Sequence, residues 1–231
     1  MLKTNKLVSR AKLISTTFGL LLGSLVVGLV GSMFINLPME LVASKRPSSM
    51  GERFTWILSL LLAIALIAGS WGWYYQNVKW PKWLKKTTLM AGVGVVSLVV
   101  IEVGFMALNV WLNHTATTPN NGTLSALQNH GVHGVFNLTV VVMAPMMEEF
   151  IYRGTCQRLL SQRLRSLKHG AWWGIGVSSL AFGLAHQGGN LIGQLTYILM
   201  GVVLGVIYQR TRDLRACTLA HAFNNWLAVT L

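Results

Sequence analysis

Two adjacent carboxylates, Glu148 and Glu149, are followed by Arg153; Phe182 is followed four residues later by His186, and His221 by Asn225 at the same spacing. Residues four apart share a helix face, whereas neighbours point about 100° apart. Glu149 and Arg153 therefore form a pair in the favourable order, glutamate first, and Glu148 faces elsewhere. A carboxylate without a cation partner is available as a general base. An asparagine one turn beyond a histidine can fix its tautomer or donate to a reacting oxygen. The chemistry on offer is hydrolysis by an activated water. Taken singly, the patterns also read as a juxtamembrane salt bridge or as packed histidines, but neither accounts for Glu148. Glu102 is a further carboxylate in an apolar run, without a partner in sequence; it faces a polar cavity or lies near an interface.

The elements that must position these groups are membrane helices. Of 231 residues 53% are hydrophobic and 11% charged, and the mean hydropathy is +0.53. No charge occurs between Lys12 and Glu40, between Arg53 and Lys79, or between Lys168 and Arg210. Such runs exceed the roughly 20 residues that cross a bilayer core. The net charge of +13 is consequently no sign of nucleic-acid binding; it concentrates at the ends of apolar spans. Two cysteines, Cys156 and Cys217, make no disulfide framework. The expected architecture is an all-α, polytopic membrane bundle of about seven transmembrane helices, at 13–37, 54–78, 89–112, 132–152, 171–186, 191–208 and 216–231. The first span reads as an uncleaved anchor, too long for a signal-peptide core. On alternate sides, sixteen Lys and Arg face only Lys45, Arg46 and Arg53. The positive-inside rule then puts the N-terminus in the cytosol and the C-terminus outside.

Depth tests whether the groups can meet. At 1.5 Å per residue Glu148 lies roughly 18 Å below the outer interface, and His221 about 21 Å below it. His186, counted from Trp173, comes out at about 10 Å, an offset of roughly 8 Å. Pro145, lacking an N–H, is expected to kink the helix just before the glutamates.

The ordered set Glu148-Glu149-x-x-x-Arg153, Phe182-x-x-x-His186 and His221-x-x-x-Asn225 resembles the motif series of the CPBP family, the CAAX prenyl protease and bacteriocin-processing (Abi) intramembrane endopeptidases. The resemblance covers about residues 132–231. It implies a catalytic core there, preceded by membrane helices of unassigned role in 1–131, within one integral membrane domain. It further implies that Glu148 activates water and that Arg153, His186, His221 and Asn225 are the family's matching site residues. The expected partners are the bilayer, in a bacterial plasma membrane, and a peptide or membrane-protein substrate.

In the mechanism that chemistry suggests, Glu148 deprotonates water and returns the proton to the leaving amine. His221 and Asn225 stabilise the oxyanion, and His186 positions the water. Glu149 with Arg153 braces the helix. No cofactor is needed in this version. The alternative is zinc held by Glu148, His186 and His221; the sequence lacks an H-E-x-x-H helix, and Arg153 engages the glutamate that would remain as base. A second class of function is a non-proteolytic membrane partner, such as a bacteriocin-immunity or sensor-regulating protein. A third is an ion pathway, for which Glu102 is the sole intramembrane carboxylate outside the motifs. Replacing Glu148 separates the first two, since a binding role survives it.

Overall fold

The computed structural model describes residues 49–78, 85–122, 125, 133–165 and 168–230, with positions 15, 16, 18, 19 and 22. The span expected at 13–37 lies outside the described residues apart from those five positions. The helices that carry the argument are α1 (Met50–Asn77), α2 (Lys85–Asn113), α3 (Gly134–Arg163), α4 (Gly170–Leu184), α5 (Leu191–Thr211) and α6 (Leu214–Thr230). α1, α2, α3 and α5 are long and apolar enough to cross a membrane. The chain is a multi-pass helical membrane protein.

Local chemistry sets several boundaries. α1 begins at a capping box: Glu52 N donates to Ser49 Oγ, and Ser49 N donates to Glu52 Oε2, both at 3.2 Å. α5 begins at Asn190, whose side-chain oxygen accepts from Gly193 N at 2.9 Å. It ends at Arg212, in the left-handed region at φ 55°.

Surface and interior are inverted relative to a soluble protein. Val96 and Val100 on α2 are 64% and 65% exposed, whereas Glu149, Arg153, Gln157, Ser178 and Asp213 are fully buried. Lipid solvates the first kind of side chain and not the second, so polar groups satisfy one another inside. α5 lies at the centre, packed against α2, α4 and α6, while α6 also packs on α2 and α3. The α4–α5 contact is close because of glycine: a Cβ at Gly201 would come within 2.9 Å of Ser179 Cα. Small residues of this kind let helices in lipid approach to backbone contact.

Two boundaries differ from the sequence expectation. α3 does not stop at 152 but continues to Arg163, over 30 residues, or about 45 Å. Arg153 reads in sequence as an interface charge, yet it lies in the interior. α4 ends at Leu184, so His186 falls just past the helix rather than within it. These shifts remove the depth offset. Measured from the adjoining ends of α3 and α4, Glu148 stands about 22 Å above Arg163 and His186 about 24 Å above Gly170.

Candidate active site

The backbone of α3 departs from α-geometry on both sides of the glutamates. Leu138–Met143 and Phe150–Gln157 are π-helical, flanking an α-helical stretch at Ala144–Glu149. Pro145 accounts for part of this. In the first π-turn Ala144 N–H donates to Thr139 O; the next bond in that register would join residue 145 to Val140 O, and Pro145 has no N–H. Asn225 Nδ2 supplies the missing donor to Val140 O, at 3.0 Å. The helix thus remains helical through the proline, with α6 bonded to it. The second π-segment has a different consequence. On a regular α-helix, positions four apart drift by roughly 40° per step; a wider turn reduces that drift. Glu149, Arg153 and Gln157 thereby all face inward, Arg153 Nη2 donating to Gly201 O at 3.1 Å and Gln157 Nε2 to Gly205 O at 2.9 Å. π-Turns inserted in α-helices are frequent at functional sites.

Glu149 and Arg153 form a buried pair, Arg153 Nη1 donating to Glu149 Oε1 at 2.8 Å with both side chains fully buried. The guanidinium lies 4.6 Å from the centroid of Phe182, a contact that shields it from lipid and adds cation–π attraction. Phe182 is the hub of this layer. Its ring centroid is also 4.5 Å from that of His186 and 5.6 Å from that of His221.

The histidines are oriented by their Nδ1 atoms. His186 Nδ1 is 2.8 Å from Phe182 O; a carbonyl only accepts, so Nδ1 carries the hydrogen. His221 Nδ1 is 2.9 Å from Glu149 Oε1, and the arginine-paired carboxylate likewise accepts. Each neutral ring therefore presents a bare Nε2. Both of these atoms lie 3.8 Å from Glu148 Oε2. That separation is too long for a hydrogen bond, and it suits groups that share one water-sized partner. Glu148 Oε2 is itself buried, with no hydrogen-bond partner among the described residues.

Of the residues singled out in sequence, the fold brings Glu148, His186 and His221 together around one point. Glu149 and Arg153 stand behind them, and Asn225 lies one turn along α6 with one amide hydrogen engaged by Val140. The donor types for zinc are present in the first three, but among the described residues no three His, Cys, Asp or Glu side chains are placed to hold one ion. Cys156 and Cys217 are free thiols. Sequence reasoning missed Tyr197, whose ring stacks on His186 with centroids 4.7 Å apart and planes 19° from parallel. It also missed Gln157 and the hub role of Phe182. An aromatic in an apolar run reads as core packing, so only the four-residue step from Phe182 to His186 carried any signal.

The family model described as type II CAAX prenyl endopeptidase Rce1-like matches residues 132–227. Comparison with curated proteins and with solved structures gives no match.

Proposed function

With an Rce1-like domain of the CPBP family, the CAAX-type intramembrane endopeptidases, established over residues 132–227, we propose that this chain hydrolyses peptide bonds of membrane-embedded or membrane-associated substrates by a water that Glu148 activates. The observation that carries the reading is the position of Glu148 Oε2, buried, unpartnered and equidistant from two imidazole nitrogens. A water there donates one hydrogen to the carboxylate and the other to an Nε2. Attack on the scissile carbonyl transfers the first proton to Glu148, which passes it to the departing amine; such proton transfer is worth typically 10²–10⁴-fold. His186, its ring oriented by the bond from Nδ1 to Phe182 O, fixes the direction of the water through Nε2. His221, braced by Glu149, enters the cycle as the imidazolium, its second proton taken from solution and returned there on product release, and donates from Nε2 to the oxyanion. Asn225 has one amide hydrogen left for the same oxygen. Glu149, Arg153 and Gln157 act as positioning residues that tie α3 to α5.

The test is cleavage of apolar peptides reconstituted with the purified protein in liposomes. Wild type yields two fragments, and Glu148→Gln yields none while binding the peptide. Equal cleavage by both proteins would remove Glu148 from the mechanism. Equal binding with no cleavage by either would turn the reading to a non-proteolytic partner.

A further inference from the structure

Glu102 is an intramembrane carboxylate that this chemistry leaves without a task. It lies on α2 and lines a cavity of about 60 Å³ with Asn109, Thr118, Asn121, Thr196 and Tyr197. By the volume one water needs, this holds roughly four waters, or the polar end of a side chain. Among the described residues the buried carboxylates Glu149 and Asp213 each have an arginine. Glu102 is approached by the side-chain amides of Asn224 and Asn121. Among the described residues Glu102 and Glu148 are the half-buried carboxylates with no Lys or Arg paired to them, and only Glu148 has a task in the chemistry above.

The other polar side chains lining the cavity each already hold a hydrogen-bond partner. Asn109 Oδ1 accepts from Asn113 Nδ2 at 2.9 Å and from Asn190 Nδ2 at 2.8 Å. Tyr197 Oη donates to Asn121 Oδ1 at 3.1 Å and shares a bond with Thr118 Oγ1 at 2.8 Å. Of the lining side chains Glu102 alone is a carboxylate and none is a Lys or Arg, and the nearby Asn224 Oδ1 is buried without a partner among the described residues. Acceptors at low dielectric call for a donor-rich cation, and an anion or a neutral acceptor would be repelled. The wall between the cavity and the Glu148 site is one ring thick, because Tyr197 lines the cavity and stacks on His186.

We infer that this cavity is a specificity subsite taking the ammonium or guanidinium end of a substrate Lys or Arg side chain close to the bond that is cut. The inference rests on the proteolytic reading for its location in the substrate, and on the cavity alone for its charge preference. Two measurements separate these. In the first, the purified full chain carrying Glu148→Gln is titrated with n-butylammonium, with n-butanol as control, and its thermal midpoint is followed. A saturable rise with the amine that disappears on adding Glu102→Gln supports the site; the same rise in both proteins overturns it. In the second, wild type is given apolar peptides with one Lys, or its neutral isostere norleucine, moved stepwise along the segment. Lys at one register should be cut at least about tenfold better than norleucine, as expected where a buried group is otherwise left unpaired. In Glu102→Gln that ratio falls to about one, with the norleucine peptide cut as in wild type. Thr196→Leu, which fills the cavity and keeps the carboxylate, should lose the same preference, and it serves where Glu102→Gln does not fold. Cleavage without any register preference, or a preference that survives both substitutions, overturns the subsite. Glu102-dependent amine binding in a protein that cuts none of the peptides would instead count against the protease reading and leave the cation site standing.

Discussion

His221 Nδ1 and Arg153 Nη1 converge on the same atom, Glu149 Oε1, at 2.9 and 2.8 Å. One oxygen thus anchors a cation from its own helix and a ring from α6, and the direction of His221 Nε2 toward Glu148 follows from it. The adjacent glutamates are divided by this arrangement into one paired with Arg153 and His221 and one left unpaired beside two imidazole rings. Helical geometry made the division necessary, since neighbours cannot face the same way.

Glu149→Gln should therefore damage both folding and turnover. It leaves Arg153 buried without a counter-charge, a change that typically costs about 3–5 kcal/mol. Adding Arg153→Gln removes the orphan cation and should restore part of the stability. Turnover should stay low in the double variant, because the amide does not restore the carboxylate that holds His221 in place. Reversible denaturation in mixed micelles and peptide cleavage measure the two quantities. Stability unchanged in Glu149→Gln would refute the brace.

Glu148→Gln keeps shape and cannot take a proton. The expected outcome is loss of turnover by at least about 10²-fold, with a thermal midpoint near that of wild type, because Glu148 Oε2 has no partner to lose. Substantial residual turnover would identify another base.

The three motifs and the helical membrane architecture were legible because both signals are local. Polar residues in apolar runs stand out, and a four-residue step means one face whatever surrounds it. The length of α3 was not legible, because a Glu149–Arg153 pair at the end of an apolar run looks like a pair at an interface, and its complete burial depends on the helices packed around it. The π-turns were not legible either. They depend on which donors packing supplies, and the donor for Val140 O comes from Asn225, 85 residues away. Tyr197 was hidden for a related reason: a stacking partner of His186 on another helix leaves no periodicity.

Topology is open to chemical labelling. Arg153 is interior, so the sixteen basic residues counted on one side become fifteen, still against three. In a variant with Cys156 and Cys217 replaced, a cysteine at Asn120 should react with an impermeant maleimide applied to intact cells. One at Ser166, which lies outside the described residues, should react only after lysis. The opposite pattern would invert the bundle.

Metal dependence separates the glutamate mechanism from the zinc alternative. The expectation is well under one zinc per molecule in purified protein, and cleavage that persists in excess chelator. A catalytic zinc would be required for water activation. Stoichiometric zinc lost with activity, and both restored by adding the metal back, would promote Glu148, His186 and His221 to ligands.

Asn225 has two candidate tasks, and a cycle with Pro145 tells them apart. Asn225→Ala deprives Val140 O of its donor, and Val140 is 4% exposed, so an unsatisfied carbonyl is left in the interior. The stability loss should be about 1–3 kcal/mol, or toward the lower end if the helix relaxes, as interhelical hydrogen bonds in membranes are often weak. Pro145→Ala returns an N–H to the position from which a π-turn bonds Val140 O. In that background Asn225→Ala should cost less, and the difference is the coupling between the two residues. Activity behaves differently if the second amide hydrogen serves the oxyanion. Removing one such donor elsewhere lowers turnover by about 10²–10³, and a new N–H at residue 145 does not replace it. Turnover should then be equally depressed by Asn225→Ala with Pro145 present or replaced. Recovery of turnover together with stability in the Pro145→Ala background would reduce Asn225 to a tie between α3 and α6.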